Sequence, residues 1–275
     1  MSLKNNKPNT EIWDKNRNRI YSSKGGWLIG KGVFNHGYDM MNDFVGKVSY
    51  MQVVILNATG KMVDRNLADW FDAIHICLSW PDPRIWCNQI GALGGSARTS
   101  VVAATVAGIL ATDSRSYGIK PLKEGLKFIQ KALEDKNQGT STLEIVDKEC
   151  AKHGGKPFIM GYARPIAKGD ERVEAMERTA KNLSFEIGEH LALAYDIEKL
   201  LLDKFDEGMN INGYMSAFLS DQGFSPEEIY RICAFLVTSG VTACYVDTAD
   251  KPEESFLPLR CEDLDYQGKE PRKLP

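Results

Sequence analysis

The chain is 275 residues long, with 43% hydrophobic and 26% charged residues. That composition belongs to an ordinary globular protein, long enough to bury a core in one large or two small domains. The net charge is only −3 and the basic residues are scattered, so neither nucleic acid nor a membrane surface is expected as a partner. Six cysteines (Cys77, Cys87, Cys150, Cys233, Cys244, Cys261) form no C-x-x-C pair and no metal-ligand spacing. No metal is therefore expected, and the usage fits a reducing cytoplasm.

Residues 1–19 are rich in Asn and Lys, lack an apolar h-region and read as a flexible segment rather than a signal peptide. Ile20-Tyr21, Trp27-Leu28-Ile29 and Val33-Phe34, separated by Ser and Gly, predict short strands or a hairpin. Nearly everything beyond reads as helix. Apolar residues at Phe44, Val45, Val48, Met51, Val54 and Ile55 predict a helix over 43–56 that Gly60 stops. Asp64 is placed to cap the next helix, whose apolar face carries Leu67, Trp70, Phe71, Ile74 and Leu78, and Pro81 and Pro83 end it. Gly91 to Gly95 predicts a break, its three glycines suited to tight packing or, without a Gly-Lys-Ser pattern, less suited to cradling phosphate. Val101–Ala111 has no polar face, which predicts a central, buried helix, and it is too short to cross a bilayer. Further helices are expected at 122–133, 143–152, 171–183 and 187–205, and Ser225-Pro226-Glu227-Glu228 opens one over 229–239. The tail from Pro252 reads as extended. There is no repeat and no βαβ alternation.

The most informative stretch is Met209-Asn210-Ile211-Asn212-Gly213-Tyr214, at the start of a helix. It resembles the Asn-Val-Asp-Gly turn of the citrate synthase and citryl-CoA lyase family. Gly161-Tyr162-Ala163-Arg164-Pro165-Ile166-Ala167-Lys168-Gly169-Asp170-Glu171-Arg172 resembles that family's Gly-His-Arg…Gly-Asp-Pro-Arg loop. Gly37-Tyr38-Asp39-Met40-Met41, Val45-Gly46-Lys47-Val48-Ser49-Tyr50 and Ala58-Thr59-Gly60-Lys61 resemble its entry region. The resemblance implies a mostly α, citrate-synthase-like two-domain fold with a small N-terminal β element. By it, residues 119–224 would be the small domain and residues 20–118 with 225–275 the large one. It also implies a homodimer whose ligands are a small carboxylate and a CoA thioester, the latter a substrate or ligand rather than a permanently bound cofactor.

The family's chemistry needs a base for the methyl proton, donors for two carbonyl oxygens and cations for carboxylates. By resemblance the base position is Asn212, whose amide hydrogen-bonds but has no basic lone pair near neutral pH. The polarising histidines fall on Ala163 and Pro81, and the His-Gly-Gly segment of true citrate synthases falls near Arg115-Ser116-Tyr117-Gly118. The cations remain. By the resemblance Arg164 and Arg172 match family arginines and would bind substrate, Arg172 matching one that holds the oxo-acid carboxylate; Arg260 stands near one that reaches across the dimer, and Lys168 and Arg115 are placed to meet CoA phosphates.

Plainer readings stand beside these. Arg164 and Arg172 also suit inter-domain ion pairs, with Asp170 and Glu171 as internal partners, and Asn212 suits a helix cap. Trp80-Pro81-Asp82-Pro83-Arg84-Ile85-Trp86 reads either as a rigid connector with Asp82 paired to Arg84, or as a rebuilt site in which Asp82 is the acid or base. His75 reads as a core histidine. Three functions follow as expectations: carbon–carbon synthase or lyase chemistry with altered residues, a silent homologue that binds a ligand or supports an active homologous subunit in a hetero-oligomer, or a structural protein.

Overall fold

The computed structural model describes residues 9–163, 169–252 and 260–274. Residues up to Ala68 and from Asp69 onward form two compact units.

The first unit opens with a short helix, α1 (Glu11–Asn16), inside the segment expected to be flexible. Three strands follow, β1 (Gly25–Leu28), β2 (Gly32–Asn35) and β3 (Tyr38–Asp39), in an antiparallel sheet of order β1-β2-β3. The register pairs Trp27 with Val33 and Phe34 with Asp39, while Ile20-Tyr21 joins no strand. The helix predicted over 43–56 is divided. A π-helical turn, Met40–Phe44, precedes α2 (Tyr50–Thr59). Gly46 at φ +77° breaks the run, and the Ser49–Gln52 capping box restarts it. Gly60, left-handed at φ 81°, ends α2 as expected.

Helix α3 (Arg65–Leu78) begins where Asp64 Oδ1 accepts the Leu67 N–H at 2.8 Å. Trp70, Phe71 and Ile74 are fully buried on its apolar face. Trp70 stacks on Phe218 with centroids 4.2 Å apart. The glycines expected to break the chain instead lie inside α4 (Trp86–Ser96). A Cβ at Gly91 would meet Val241, at Gly94 Ala104, and at Gly95 Tyr245 and Thr248, so they permit helix-on-helix approach against α5 (Val101–Ala111) and α12 (Thr238–Ala249).

Helix α5 departs from expectation. Only Ala104 and Gly108 are buried, while Val101, Val102, Val106 and Leu110 are exposed. Among the described residues, nothing covers this side of the helix. Helices α6 (Ile119–Asn137), α7 (Thr142–Ala151), α8 (Glu171–Asn182) and α9 (Glu189–Phe205) fall where periodicity placed them, and α10 (Ile211–Asp221) opens in the stretch read as a helix start. Helix α10 is the centre of the packing, with every residue from Gly213 to Ser220 buried.

Ser225 caps α11 (Pro226–Ile232) through a box with Glu228. The apolar stretch Pro226–Ala249 is, by length and mean hydropathy, sufficient to cross a membrane, unlike Val101–Ala111. It folds as α11, a 3-10 turn (Cys233–Phe235) and α12, so the single helix predicted over 229–239 is two helices and a turn. Residues 260–274 are exposed and carry one 3-10 turn, Cys261–Asp263.

Candidate functional site

The turn before α10 is tied to the loop before α8 by main-chain and side-chain bonds. Asn210 is the N-cap of α10: its Oδ1 accepts the N–H of Asn212 at 2.9 Å and of Gly213 at 3.3 Å. The cap is therefore Asn210 rather than Asn212, because Asn210 has the extended backbone a cap requires. Its Nδ2 donates to Ala163 O at 2.6 Å, its N–H donates to Gly161 O at 2.9 Å, and Ala163 N–H donates to Gly208 O at 2.8 Å. A Cβ on Gly161 would lie 2.5 Å from Gly213 Cα, and one on Gly213 would meet the Gly161 carbonyl. Two glycines thus let the strands of this junction touch. Ala163 takes a left-handed φ of +68°, a strained state for a residue with a side chain.

Asp170 completes the junction. It is the N-cap of α8, with Oδ1 accepting the Arg172 N–H at 3.2 Å. The same carboxylate takes Arg172 Nε and Nη2, each at 2.7 Å. Oδ2 also accepts the Ile211 N–H of α10 at 2.9 Å. The Asp170 side chain is fully buried and that of Arg172 is 20% exposed. Burial pushes the Asp170 carboxyl up, but Arg172 and the Ile211 N–H outweigh it and hold it below the usual carboxylate range. The first three N–H groups of α10 are all engaged, one by a carboxylate and two by an amide, which is how an anion at a helix N-terminus is replaced from within.

Asn212, half-buried, is the second residue of α10. Its Oδ1 lies 3.5 Å from Ser216 Oγ and faces the Gly125 backbone of α6, where a Cβ would approach it to 3.4 Å. It can accept or donate a hydrogen bond there, and it cannot take a proton.

Asp82 sits in the α3–α4 connector. Its carboxylate accepts Arg84 N at 2.9 Å, Nη2 at 2.7 Å and Nε at 3.1 and 3.2 Å. These bonds bring its pKa down to about 2, so it is a charged, weakly basic group at neutral pH. Asn88, 2% exposed, holds the connector by donating Nδ2 to Trp80 O and Asp82 O, both at 2.9 Å.

Arg115 is exposed in the loop Thr112–Gly118. Arg260 is exposed too, its N–H donating to Asp263 Oδ2 at 2.8 Å. Arg164 and Lys168 lie outside the described residues. Among the described residues no group of His, Cys, Asp and Glu is arranged to hold a metal ion. His75 Nδ1–H donates to Phe71 O at 2.7 Å, and its Nε2 has no partner among the described residues. Burial holds its pKa down, as for a core histidine.

Cys77 and Tyr117 were not singled out from the sequence as site residues. Burial pushes the Cys77 thiol up while the Arg172 charge pulls it down, with a net rise. Tyr117 behaves likewise: burial and the Cys87 thiol raise its phenol while Arg172 lowers it.

No protein-family model and no curated protein matches the chain. Solved structures do. Citryl-CoA lyase from Hydrogenobacter thermophilus superposes with a TM-score of 0.78 at 22% identity, covering 94% of this chain and 98% of that one. ATP citrate lyase from Methanothrix soehngenii, in complex with citrate and coenzyme A, gives 0.74 at 17% identity over 96% of this chain, which spans 45% of that longer one. Citrate synthase from Thermotoga maritima gives 0.60 at 16% identity, covering 83% of this chain and 60% of that one. At these identities the likeness speaks to architecture: the chain has the helical fold shared by citryl-CoA lyase and citrate synthase.

Proposed function

We propose that this protein binds a CoA thioester and a small 2-oxo or citryl-type carboxylate at the α8–α10 junction, as a citryl-CoA-lyase-like protein with altered carbon–carbon chemistry. The reading is carried by the junction itself. A buried Asp170–Arg172 pair draws the starts of two helices together beside Asn212, on the fold of proteins solved with citrate and coenzyme A or with (3S)-citryl-CoA. Arg172 offers its guanidinium to a carboxylate. Arg164 adds a second cation, Lys168 and Arg115 meet CoA phosphates, and Arg260 serves the site of a partner copy. That partner is a second copy of this chain, laid on the exposed apolar strip of α5. Titration calorimetry with CoA, acetyl-CoA, citrate and oxaloacetate tests the reading, and thermal shift should report the same ligands. Micromolar or tighter binding of one of them is expected, and absence of binding by all four overturns the proposal.

One observation favours a second reading, a catalytically silent homologue that binds such ligands or supports an active subunit. None of Asn212, Asp170, Tyr117 and Cys77 offers a base at neutral pH: the first is an amide, the second an ion-paired carboxylate, and the last two have raised pKa values. Oxaloacetate release from citryl-CoA, and thiol release from acetyl-CoA with oxaloacetate, separate the two readings, because the silent homologue binds without turnover.

A further inference from the structure

At the end of α10 away from Asn212, a cleft of about 400 Å³ opens between the last turns of α6, the start of α9 and the turn into α11. Its walls are apolar at Leu133 and Phe224 and polar at Gln130, Glu134, Asn137 and His190. Among the described residues no Lys or Arg lines it.

Two of the polar groups are held in place, each with an acceptor to spare. Asp221, the last residue of α10, caps α9 where its N-cap, Gly188, has no side chain to do so. The Asp221 carboxylate accepts the N–H of His190 at 2.9 Å and of Leu191 at 3.0 Å, and it lies where a Cβ on Gly188 would be. The same carboxylate is 2.8 Å from His190 Nδ1. An ionised carboxylate has no proton to give, so Nδ1 carries the hydrogen and the neutral ring keeps its lone pair on Nε2. Gln130 Nε2 donates to Phe224 O at 2.9 Å and to Ser220 Oγ at 3.2 Å. A main-chain carbonyl takes only a donor, so this bond decides which end of the amide is nitrogen and leaves Oε1 as an acceptor. Both side chains belong to half-buried residues, and among the described residues neither His190 Nε2 nor Gln130 Oε1 has a partner.

Electrostatics sets the sign of what fits. Glu134 brings a carboxylate to the rim, loosely held by Lys131 at 3.3 Å. Asn137 ends α6, where the last carbonyls and the negative end of the helix dipole lie. The starts of α9 and α11 add no free positive end, because the carboxylates of Asp221 and Glu228 already cap them. Among the described residues no group of His, Cys, Asp and Glu is arranged to hold a metal ion, so the acceptors suit an organic cation.

We propose that this cleft binds a small alkyl ammonium, its three N–H groups meeting His190 Nε2, Gln130 Oε1 and the Glu134 carboxylate while its carbon chain lies on Leu133 and Phe224. An ammonium has three donors and no acceptor, which matches three acceptors converging on one cleft. The site is separate from the α8–α10 junction, and its test is independent of the ligands proposed there.

Titration of the full chain with putrescine at low ionic strength tests this, read by calorimetry and by the imidazole resonances of the four histidines. Butane-1,4-diol, of the same length and without charge, is the control. The wild type should bind putrescine at millimolar concentration or below and the diol at least about tenfold more weakly. One imidazole resonance should move, the one that His190→Gln removes. Glu134→Gln, at an exposed position, should weaken putrescine about threefold to tenfold with an unchanged melting temperature. His190→Gln should weaken it at least about tenfold, and if that variant fails to fold, Glu134→Gln and the wild-type resonances still decide. Putrescine that binds no better than the diol, or that leaves the His190 resonance unmoved, overturns the proposal. An affinity unchanged in Glu134→Gln, or no binding at millimolar concentrations, overturns it too.

Discussion

The carboxylate of Asp170 reaches from the cap of its own helix to the Ile211 N–H at 2.9 Å, so one side chain terminates both α8 and α10. Arg172 is held in the same grip. An ion pair buried in this way contributes little net stability when whole, but breaking it strands a charge. Arg172→Ala should therefore lower unfolding free energy by about 3–5 kcal/mol, and Asp170→Ala by a comparable amount. The double variant should cost less than the sum, since each partner's loss is the other's penalty. Urea denaturation of the four proteins measures the coupling, and additive losses would refute it.

The same carboxylate sets a pH dependence. Its pKa in the folded protein lies below the ordinary carboxylate value. Its contribution is therefore complete above the unfolded-state pKa and is lost as pH falls through the folded one. Stability of the wild type should drop more steeply below about pH 4 than that of Asp170→Asn, which cannot titrate. Parallel pH–stability curves would show that the pair carries no linkage.

Gly213→Ala should be costly although α10 is helical there. The added Cβ would meet the Gly161 carbonyl and come within 2.8 Å of Met209 Cγ. A loss of at least about 1–3 kcal/mol is expected, as for other overpacked sites, and Gly161→Ala should add strain at φ +99°. Unchanged melting temperatures would mean that the two segments part without cost.

Much of this was legible in the chain, for physical reasons that differ by segment. Period located α6 to α9, the short polar groups of Met209–Tyr214 marked the start of α10, and the Ser225-Pro226-Glu227-Glu228 signature located the start of α11. The break at Gly91–Gly95 was misread because glycine carries the same local signal in a turn and at a helix crossing, and only α12 and Ala104 of α5 decide between them. The burial of α5 was misread because an all-apolar helix satisfies itself against either its own chain or another. The pairing of Arg172 with Asp170 was visible as an i, i+2 possibility. The bond from Asp170 to Ile211 spans 41 positions and was not.

The exposed strip on α5 yields a test of assembly. Val106 and Leu110 are 48% and 69% exposed and stand one turn apart beside Val102. If this strip meets a second copy, Val106→Asp with Leu110→Asp should convert a dimer into a folded monomer. Sedimentation velocity at micromolar concentration would show the change. A wild type that sediments as a monomer removes the assembly from the proposal.

The site chemistry makes the sharpest prediction concerning turnover. Condensation of acetyl-CoA with oxaloacetate needs a base on the methyl group and a polarised carbonyl. Under the proposed function Asn212 would take the base's position, but its amide has no basic lone pair, and Ala163, bound through its own carbonyl by Asn210, offers no side-chain donor. Asp82 is held at a pKa of about 2 by Arg84, too acidic to accept a carbon-bound proton efficiently. The wild type should release thiol far below ordinary enzymes' rates of roughly 1–1000 per second. Asn212→Asp would place a carboxylate beside Ser216 Oγ at the start of α10, where the helix dipole keeps it ionised. A positioned base is worth about 100- to 10,000-fold, so this variant should exceed the wild type measurably. It should still fall short of an ordinary enzyme, because Ala163 leaves the carbonyl without a donor on that side. Wild-type turnover in the ordinary range, unchanged by Asn212→Ala, would mean that the proton leaves by another residue and that the α10 turn is a structural cap alone.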